Sequence, residues 1–233
     1  LSHFATQGNV SEIKPLGEGL INDTYLVKTA EADQPDYVLQ RVNENVFPDV
    51  DMVMRNIQAV TTHIRHKLEA QGTPDLDRRV LRFLPVKGSE KLYAVGNGKY
   101  WRMIVFIPNA ITKQAVNADS SSAAGLAFGQ FQSMLADLPV QMGVTLKAFH
   151  NMEFRLKQLR EVLAADPIGR AKEPRVQKML AIIDDRAEEM CKAERMGREG
   201  ILPKRVCHCD TKVNNMMFDD QDNVLCVIDL DTV

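Results

Sequence analysis

The chain opens with a two-residue rhythm of apolar and polar positions. In EIKPLGEGLINDTYLVKTA two short extended runs flank a glycine-containing turn, and DYVLQRVN, RVLRFLPV, KLYAVGNG and KYWRMIVFI continue the series, with GSE and GNG as turn signals. This alternation, six extended runs in all, predicts an antiparallel meander with a five-stranded sheet as its outcome. One segment breaks the rhythm: in VDMVMRNIQAVTTHIRHKLEA the residues Val50, Val53, Met54, Ile57, Val60, Ile64 and Leu68 recur at three- and four-residue steps. That spacing predicts a helix inserted after the third strand, with Asp49 placed to cap it.

Beyond IPNA at 107–110 the period becomes helical. SSSAAGLAFGQFQSMLADL opens with serines suited to capping and sets Ala124, Phe128, Phe131 and Leu135 along one stripe. NMEFRLKQLREVLAA and PRVQKMLAIIDDRAEEMCKAERMG read as two more amphipathic helices. Strands return at VCH, NMMF and VLCVIDL, the last two joined by the turn DDQDN. The whole pattern implies an α+β chain of two lobes: a sheet lobe over 1–108, and a mainly helical lobe over 109–233 beginning near Pro108.

Composition removes several partners. With 29 basic and 31 acidic residues, net charge −2, no cluster of lysine and arginine reads as a footprint for nucleic acid or a membrane surface. The longest apolar run, MIVFI, is far too short to span a bilayer, and LSHFATQGNVSEIK has no signal-peptide core, so the expectation is a cytoplasmic protein. Four cysteines in a chain of this length, without a secretion signal, are expected to be reduced thiols. Cys207 and Cys209 flank His208, but residues two apart on an extended segment bring only two sulfurs to one face, and the second ligand pair of a zinc site is missing. His63 and His66, three apart on the inserted helix, have no acidic or cysteine companions in sequence and read as solvated helix residues.

Two stretches carry chemistry. Gly17 and Gly19, in the turn between the first two strands, permit the backbone to lie close to a phosphate, although the same pattern serves hairpins that bind nothing. A turn between two strands fits a kinase-type loop better than a Rossmann turn, which opens a helix. The second stretch is more specific: His208-x-Asp210-x-Lys212-x-x-Asn215, followed after a hairpin by Asp229. Asn215 and Asp229 offer two hard oxygen donors suited to Mg²⁺, Asp210 is left to accept a proton, and Lys212 can neutralise charge on a transferring phosphoryl group.

HCDTKVNN with IDLD resembles the H-x-D-x-x-x-x-N and I-D-F-type motifs of the aminoglycoside phosphotransferase and choline kinase family, which shares the protein-kinase-like fold. Within that family, GEGLINDTYLV, VLQRVNENVFPDVDMVMRNI, YWRMIVFIPNA and CDTKVNNMMFD with VLCVIDLDTV look like the bacterial N-acetylhexosamine 1-kinase branch. The resemblance implies Asp210 as the catalytic base, Asn215 and Asp229 as magnesium ligands, and His208 as a packing residue of the catalytic loop. It also implies ATP and Mg²⁺, and a small-molecule sugar substrate phosphorylated at its anomeric hydroxyl.

Gly17, Gly19 and Asn22 would form the nucleotide loop, with Asn22 standing where a protein kinase has its third glycine. The strand lysine is absent. At its place in VLQRVN, alternation favours Gln40 pointing inward beside Val38, whereas charge favours Arg41, the residue assigned to the nucleotide. Adenine would lie against MIVFIP and hydrogen-bond to backbone near Phe106. If strand alternation continues, Asp231 shares a face with Asp229 and either binds sugar hydroxyls, supports the metal or caps the next segment.

Choline, homoserine or an aminoglycoside as acceptor, and a nucleotide-binding inactive relative, are the alternatives. A sulfatase would need a Cys/Ser-x-Pro-x-Arg segment, which is absent. Family members continue into further helices, so the chain is expected to leave the stripe of Phe128, Phe131 and Leu135 uncovered and open to self-association.

Overall fold

The computed structural model describes residues 1–17, 19 and 21–233. Strands β1 (Val10–Pro15), β2 (Asp23–Thr29), β3 (Tyr37–Val42), β4 (Ala94–Gly96) and β5 (Lys99–Val105) form an antiparallel sheet in the order β1-β2-β3-β5-β4. Helix α1 (Val50–Ala70) follows β3, as the pattern predicts, and Asp49 accepts the Met52 N–H at 2.9 Å to cap it. RVLRFLPV departs from expectation. Arg79 ends a short helix, α2 (Leu76–Arg79), and Phe83 makes an isolated bridge to Ile104 while Leu84 N–H donates to the Met103 carbonyl. Pro85 then has no N–H with which to extend a ladder.

Side chains alternate across the sheet, which gives its two faces different tasks. Val38, Val42 and Ile104 join Val53, Ile57 and Val60 of α1, with Leu230 from the chain's last turn, in one core. The other face is a smaller core of Val27, Tyr37, Met103 and Val105 against Phe4 and Leu84. Gln40 stands across from Thr24 and Arg102 in register, on the face that packs against α1.

The helix α3 (Ala118–Met134) has Asn117 as its cap, in a capping box with Ser120, where serine caps were expected. Phe131 and Leu135 are buried and Phe128 is partly buried, so the stripe expected to lie uncovered is covered: Phe131 and Leu135 belong to the α1 core. The hairpin of β6 (Met216–Phe218) and β7 (Val224–Val227) turns where Asp219 Oδ1 accepts the Gln221 and Asn223 N–H groups. The expected strand VCH is irregular backbone, and Cys209 next to it takes a positive φ of 62°. No disulfide joins the four cysteines.

By its contacts the chain forms two compact units, residues 1–146 with 206–233 and residues 147–205. The boundary expected near Pro108 lies inside the first, because the α3 region and the β6–β7 hairpin pack with the sheet and α1. The second unit contains α4 (Met152–Ala165), α5 (Pro174–Met190) and α6 (Lys192–Arg198), the predicted long third helix being interrupted at Cys191. Arg198 holds both oxygens of Glu153, at 2.8 and 2.7 Å, tying α6 to α4. Neither α4 nor α5 has a buried residue, and Phe154, Val162, Met179 and Ile182 are exposed. No helix among the described residues is long and apolar enough to cross a membrane.

Two polar side chains, Asn56 and Thr61, sit inside the apolar face of α1, and Asn56 reaches beyond its own helix. Asn56, 5% exposed, donates from Nδ2 to the carbonyls of Gly143 (2.9 Å) and Val233 (3.0 Å) and accepts the Gly143 N–H at Oδ1. Truncating it strands three backbone groups in the interior. Asn56→Ala should therefore cost about 2–3 kcal/mol in denaturant unfolding, whereas Gln58→Ala, on the exposed face, should stay within about 0.5 kcal/mol.

Candidate active site

The loop after the second unit is organised by His208. Its ring is buried at 1% exposure and meets Phe128 and Phe131 edge-on, with centroids 5.4 and 5.9 Å away. Asp210 N–H donates to Nδ1 at 3.2 Å, so Nδ1 carries the lone pair and Nε2 the proton, donated to the Ile228 carbonyl at 2.8 Å. Ile228 N–H in turn donates to the Asn215 carbonyl at 2.9 Å. The backbone of one residue, Ile228, thus fastens both ends of the loop that carries Asp210 and Lys212. Asp229 follows it directly in the chain.

The side chains of the motif converge as the sequence predicts. Asn215, 4% exposed, donates Nδ2 to both the main-chain oxygen and Oδ2 of Asp210, at 2.9 and 3.0 Å, which leaves its Oδ1 as an acceptor. Lys212 Nζ lies 2.8 Å from Asp210 Oδ2. Partial burial of Asp210 favours the neutral acid, but the hydrogen bonds from Lys212 and Asn215 and the lysine charge outweigh it and hold the carboxyl below its ordinary range.

Asp229 behaves oppositely. One side of it meets solvent, while loss of hydration against the protein and the nearby charge of Asp231 push its carboxyl above the ordinary range. A carboxylate so placed gains from a cation. Asn215 and Asp229 together offer two hard oxygens, a donor set that fits a magnesium ion completed by waters and phosphate oxygens. Among the described residues no group of three or more His, Cys, Asp or Glu side chains could hold a metal.

Three other predicted residues lie elsewhere than expected. Asp231 does not share a strand face with Asp229: the chain leaves β7 at Val227, Asp229 adopts the left-handed conformation (φ 59°), and Leu230–Thr232 is a 3-10 turn. At 2% exposure Asp231 is instead enclosed, bound by Arg102 and by Asn22 Nδ2 at 2.7 Å. Arg41 projects to the opposite side of the sheet from Gln40 and pairs with Asp23 at 2.5 Å, because neighbouring strand residues alternate. Phe106 N–H is already donated to the Asp36 carbonyl at 2.9 Å, extending the β3–β5 ladder, so this donor is not available to adenine.

Of the glycine turn, Gly17 has φ +73°, a conformation that disfavours other residues, and a Cβ on Gly19 would lie 3.0 Å from the Asn22 carbonyl. Glu18 and Leu20 in the same turn lie outside the described residues. His63, expected to be merely solvated, has a partner: Nε2 lies 3.1 Å from Asp137 Oδ1, which Lys67 also holds. Arg102 was not singled out in the sequence, although it is the one charge in the run YWRMIVFI.

The sequence profile of the phosphotransferase enzyme family (APH) matches residues 12–233. An aminoglycoside phosphotransferase from Alicyclobacillus acidocaldarius subsp. acidocaldarius DSM 446 superposes with a TM-score of 0.60 at 14% identity, covering 97% of this chain and 63% of its own length. Spectinomycin phosphotransferase APH(9)-Ia in complex with ADP and spectinomycin gives 0.55 at 11% identity, covering 97% and 65%. Amicoumacin kinase hAmiN in complex with AMP-PNP, Ca²⁺ and Ami gives 0.55 at 12% identity, covering 97% and 60%. At these identities the likeness is one of fold, the two-lobed protein-kinase-like fold, and the chain spans less than two thirds of each structure.

The electrostatics of Asp210 can be read directly. A carboxylate depressed on folding contributes stability above its unfolded pKa, and that contribution is lost as pH falls through the depressed folded value. Lys212→Met should move the Asp210 carboxyl resonance, followed by NMR titration, up toward the ordinary value of about 3.9 and reduce the associated loss of stability in acid. An unchanged titration would remove Lys212 from the role of its counter-ion.

Proposed function

We propose that this chain, which belongs to the phosphotransferase enzyme family, transfers the γ-phosphoryl group of ATP to a hydroxyl of a small molecule, with N-acetylglucosamine or N-acetylgalactosamine as acceptor at the anomeric position. The observation that carries the reading is the state of Asp210. It is held ionised by Lys212 and Asn215, on a loop fastened through the backbone N–H and C=O of Ile228, next to Asp229.

In this reading Asp210 accepts a hydrogen bond from the acceptor hydroxyl and takes its proton as the oxygen bonds to the γ-phosphorus. The bond from that phosphorus to the bridging oxygen breaks and ADP departs. Such transfers need positioning and charge neutralisation more than covalent chemistry. Asn215 Oδ1 and the Asp229 carboxylate would hold magnesium, which when bound neutralises phosphate oxygens and fixes their orientation. Lys212, on the Asp210 oxygen, adds a positive charge beside the reacting hydroxyl and keeps the base in its acceptor form. Use of ATP fits a cytoplasmic location.

The choice of an N-acetylhexosamine rests on the similarity of the stretches around the glycine turn, β3 with α1, and the catalytic loop to that branch. A second reading, an acceptor of the antibiotic kind, is favoured by the structural neighbours, an aminoglycoside phosphotransferase and a spectinomycin phosphotransferase. Labelled ATP offered with N-acetylhexosamines, hexoses, choline, homoserine and aminoglycosides separates the two readings, and transfer to none of them would leave a nucleotide-binding relative.

Two substitutions test the roles. Asp210→Asn should lower turnover at least about a hundredfold while nucleotide affinity stays within a few fold, since it removes a proton acceptor and little else. Asp229→Ala should abolish the magnesium-dependent tightening of ATP binding, while Asp222→Ala, which only breaks an ion pair with Lys113 in the hairpin turn, should leave it intact. Equal effects from these last two would move the ion site to the turn.

A further inference from the structure

A second connected polar group in the first unit centres on Arg102. Arg102 and Asp231 are both 2% exposed. The guanidinium grips the carboxylate with two nitrogens, Nη1 on Oδ1 and Nη2 on Oδ2, the latter at 3.0 Å. Arg102 Nε donates to Gln40 Oε1 at 3.0 Å, and Gln40 Nε2 donates to Thr24 Oγ1 at 3.0 Å, so the cation is anchored in β5, β3 and β2 at once. From the other side Asn22 Nδ2 reaches Asp231 Oδ2 at 2.7 Å. Asn22 is itself fixed, because its Oδ1 accepts the Asn43 N–H at 3.0 Å and Asn43 Nδ2 donates to the Ile21 carbonyl at 3.1 Å.

A buried ion pair adds little stability beyond that of a well-packed apolar pair of the same size. Its geometry here does something an apolar pair cannot do. It joins the end of the glycine turn, across 209 residues of sequence, to a side chain two positions beyond Asp229. We infer that Arg102 and Asp231, with Asn22, are positioning residues that hold the glycine turn and the Asp229 segment in fixed relation, so that the two halves of a magnesium–nucleotide site form together. The functional part of this inference rests on the function proposed above; the mechanical part does not.

The test uses variants that keep the protein folded. Asn22→Ala removes the outer link and leaves the ion pair intact, while Arg102→Met/Asp231→Leu removes both buried charges together and strands neither. Amide hydrogen exchange should accelerate about tenfold or more in Asn22→Ala at residues 228–232 as well as at the turn, and in the double variant at residues 21–24 as well as at 228–232, while the rest of the sheet keeps its rates. Affinity for magnesium with AMP-PNP should fall about tenfold in each variant, the scale of one lost charge-assisted hydrogen bond, even where the melting temperature equals the parent's. Arg102→Lys should fail to rescue affinity, because an ammonium cannot make the planar two-nitrogen grip.

Exchange that stays local in both variants overturns the coupling. Parental affinity in a stable double variant overturns the role in assembling the site. If the parent itself binds no magnesium nucleotide, the proposed function falls, and the exchange rates still decide whether turn and segment are coupled.

Discussion

The site depends on the backbone of Ile228. Its N–H donates to the Asn215 carbonyl and its C=O accepts from His208 Nε2, so one residue, through the two peptide groups that flank its Cα, fixes the spacing between the loop that carries Asp210 and the segment that begins with Asp229. His208 can perform this only because its ring is packed between Phe128 and Phe131 and takes the Asp210 N–H at its other nitrogen. A helix face, a histidine tautomer and a strand end are therefore one arrangement. The carboxylate at its centre is kept ionised by groups from the same loop.

Around this arrangement the polar contacts run inward to apolar packing. Leu230, one residue past Asp229, is in the core with Val53, Ile57 and Val60, and Asn56 on the same helix holds the Val233 carbonyl. The last turn of the described chain is thus fixed on one side by α1 and on the other by Arg102. The buried charges of Arg102 and Asp231 carry little net stability, and what they contribute is a defined position for the residues between them.

Much of this was legible in the sequence. Hydrophobic period placed the sheet, α1 and α3, and the spacing from His208 to Asn215 brought Asp210, Lys212 and Asn215 together, because loop motifs of this kind encode local hydrogen bonds. Periodicity failed where a local feature overrode it: Pro85 stopped a strand that RVLRFLPV otherwise favoured, and the left-handed conformation at Asp229 ended the alternation that would have paired it with Asp231 on one face. Arg41 was chosen for its charge over the alternation that favoured Gln40, and alternation was the sounder guide. Arg102 and Asn56 were not singled out because Asp231 and Gly143, on which they close, lie more than eighty residues away from them in sequence. A charged or amide side chain inside an apolar run was the available signal for both.

The most direct test of the whole account is to locate a divalent ion. Manganese added in place of magnesium, together with ADP, shortens the NMR relaxation of nuclei near it. The geometry predicts that the side-chain amide of Asn215 and the backbone of residues 228–230 broaden first, with Asp210 close behind. Broadening centred on the Asp219–Asn223 turn, or absent from the loop between His208 and Asp229, would contradict the assignment of this loop and strand end as a phosphotransfer site.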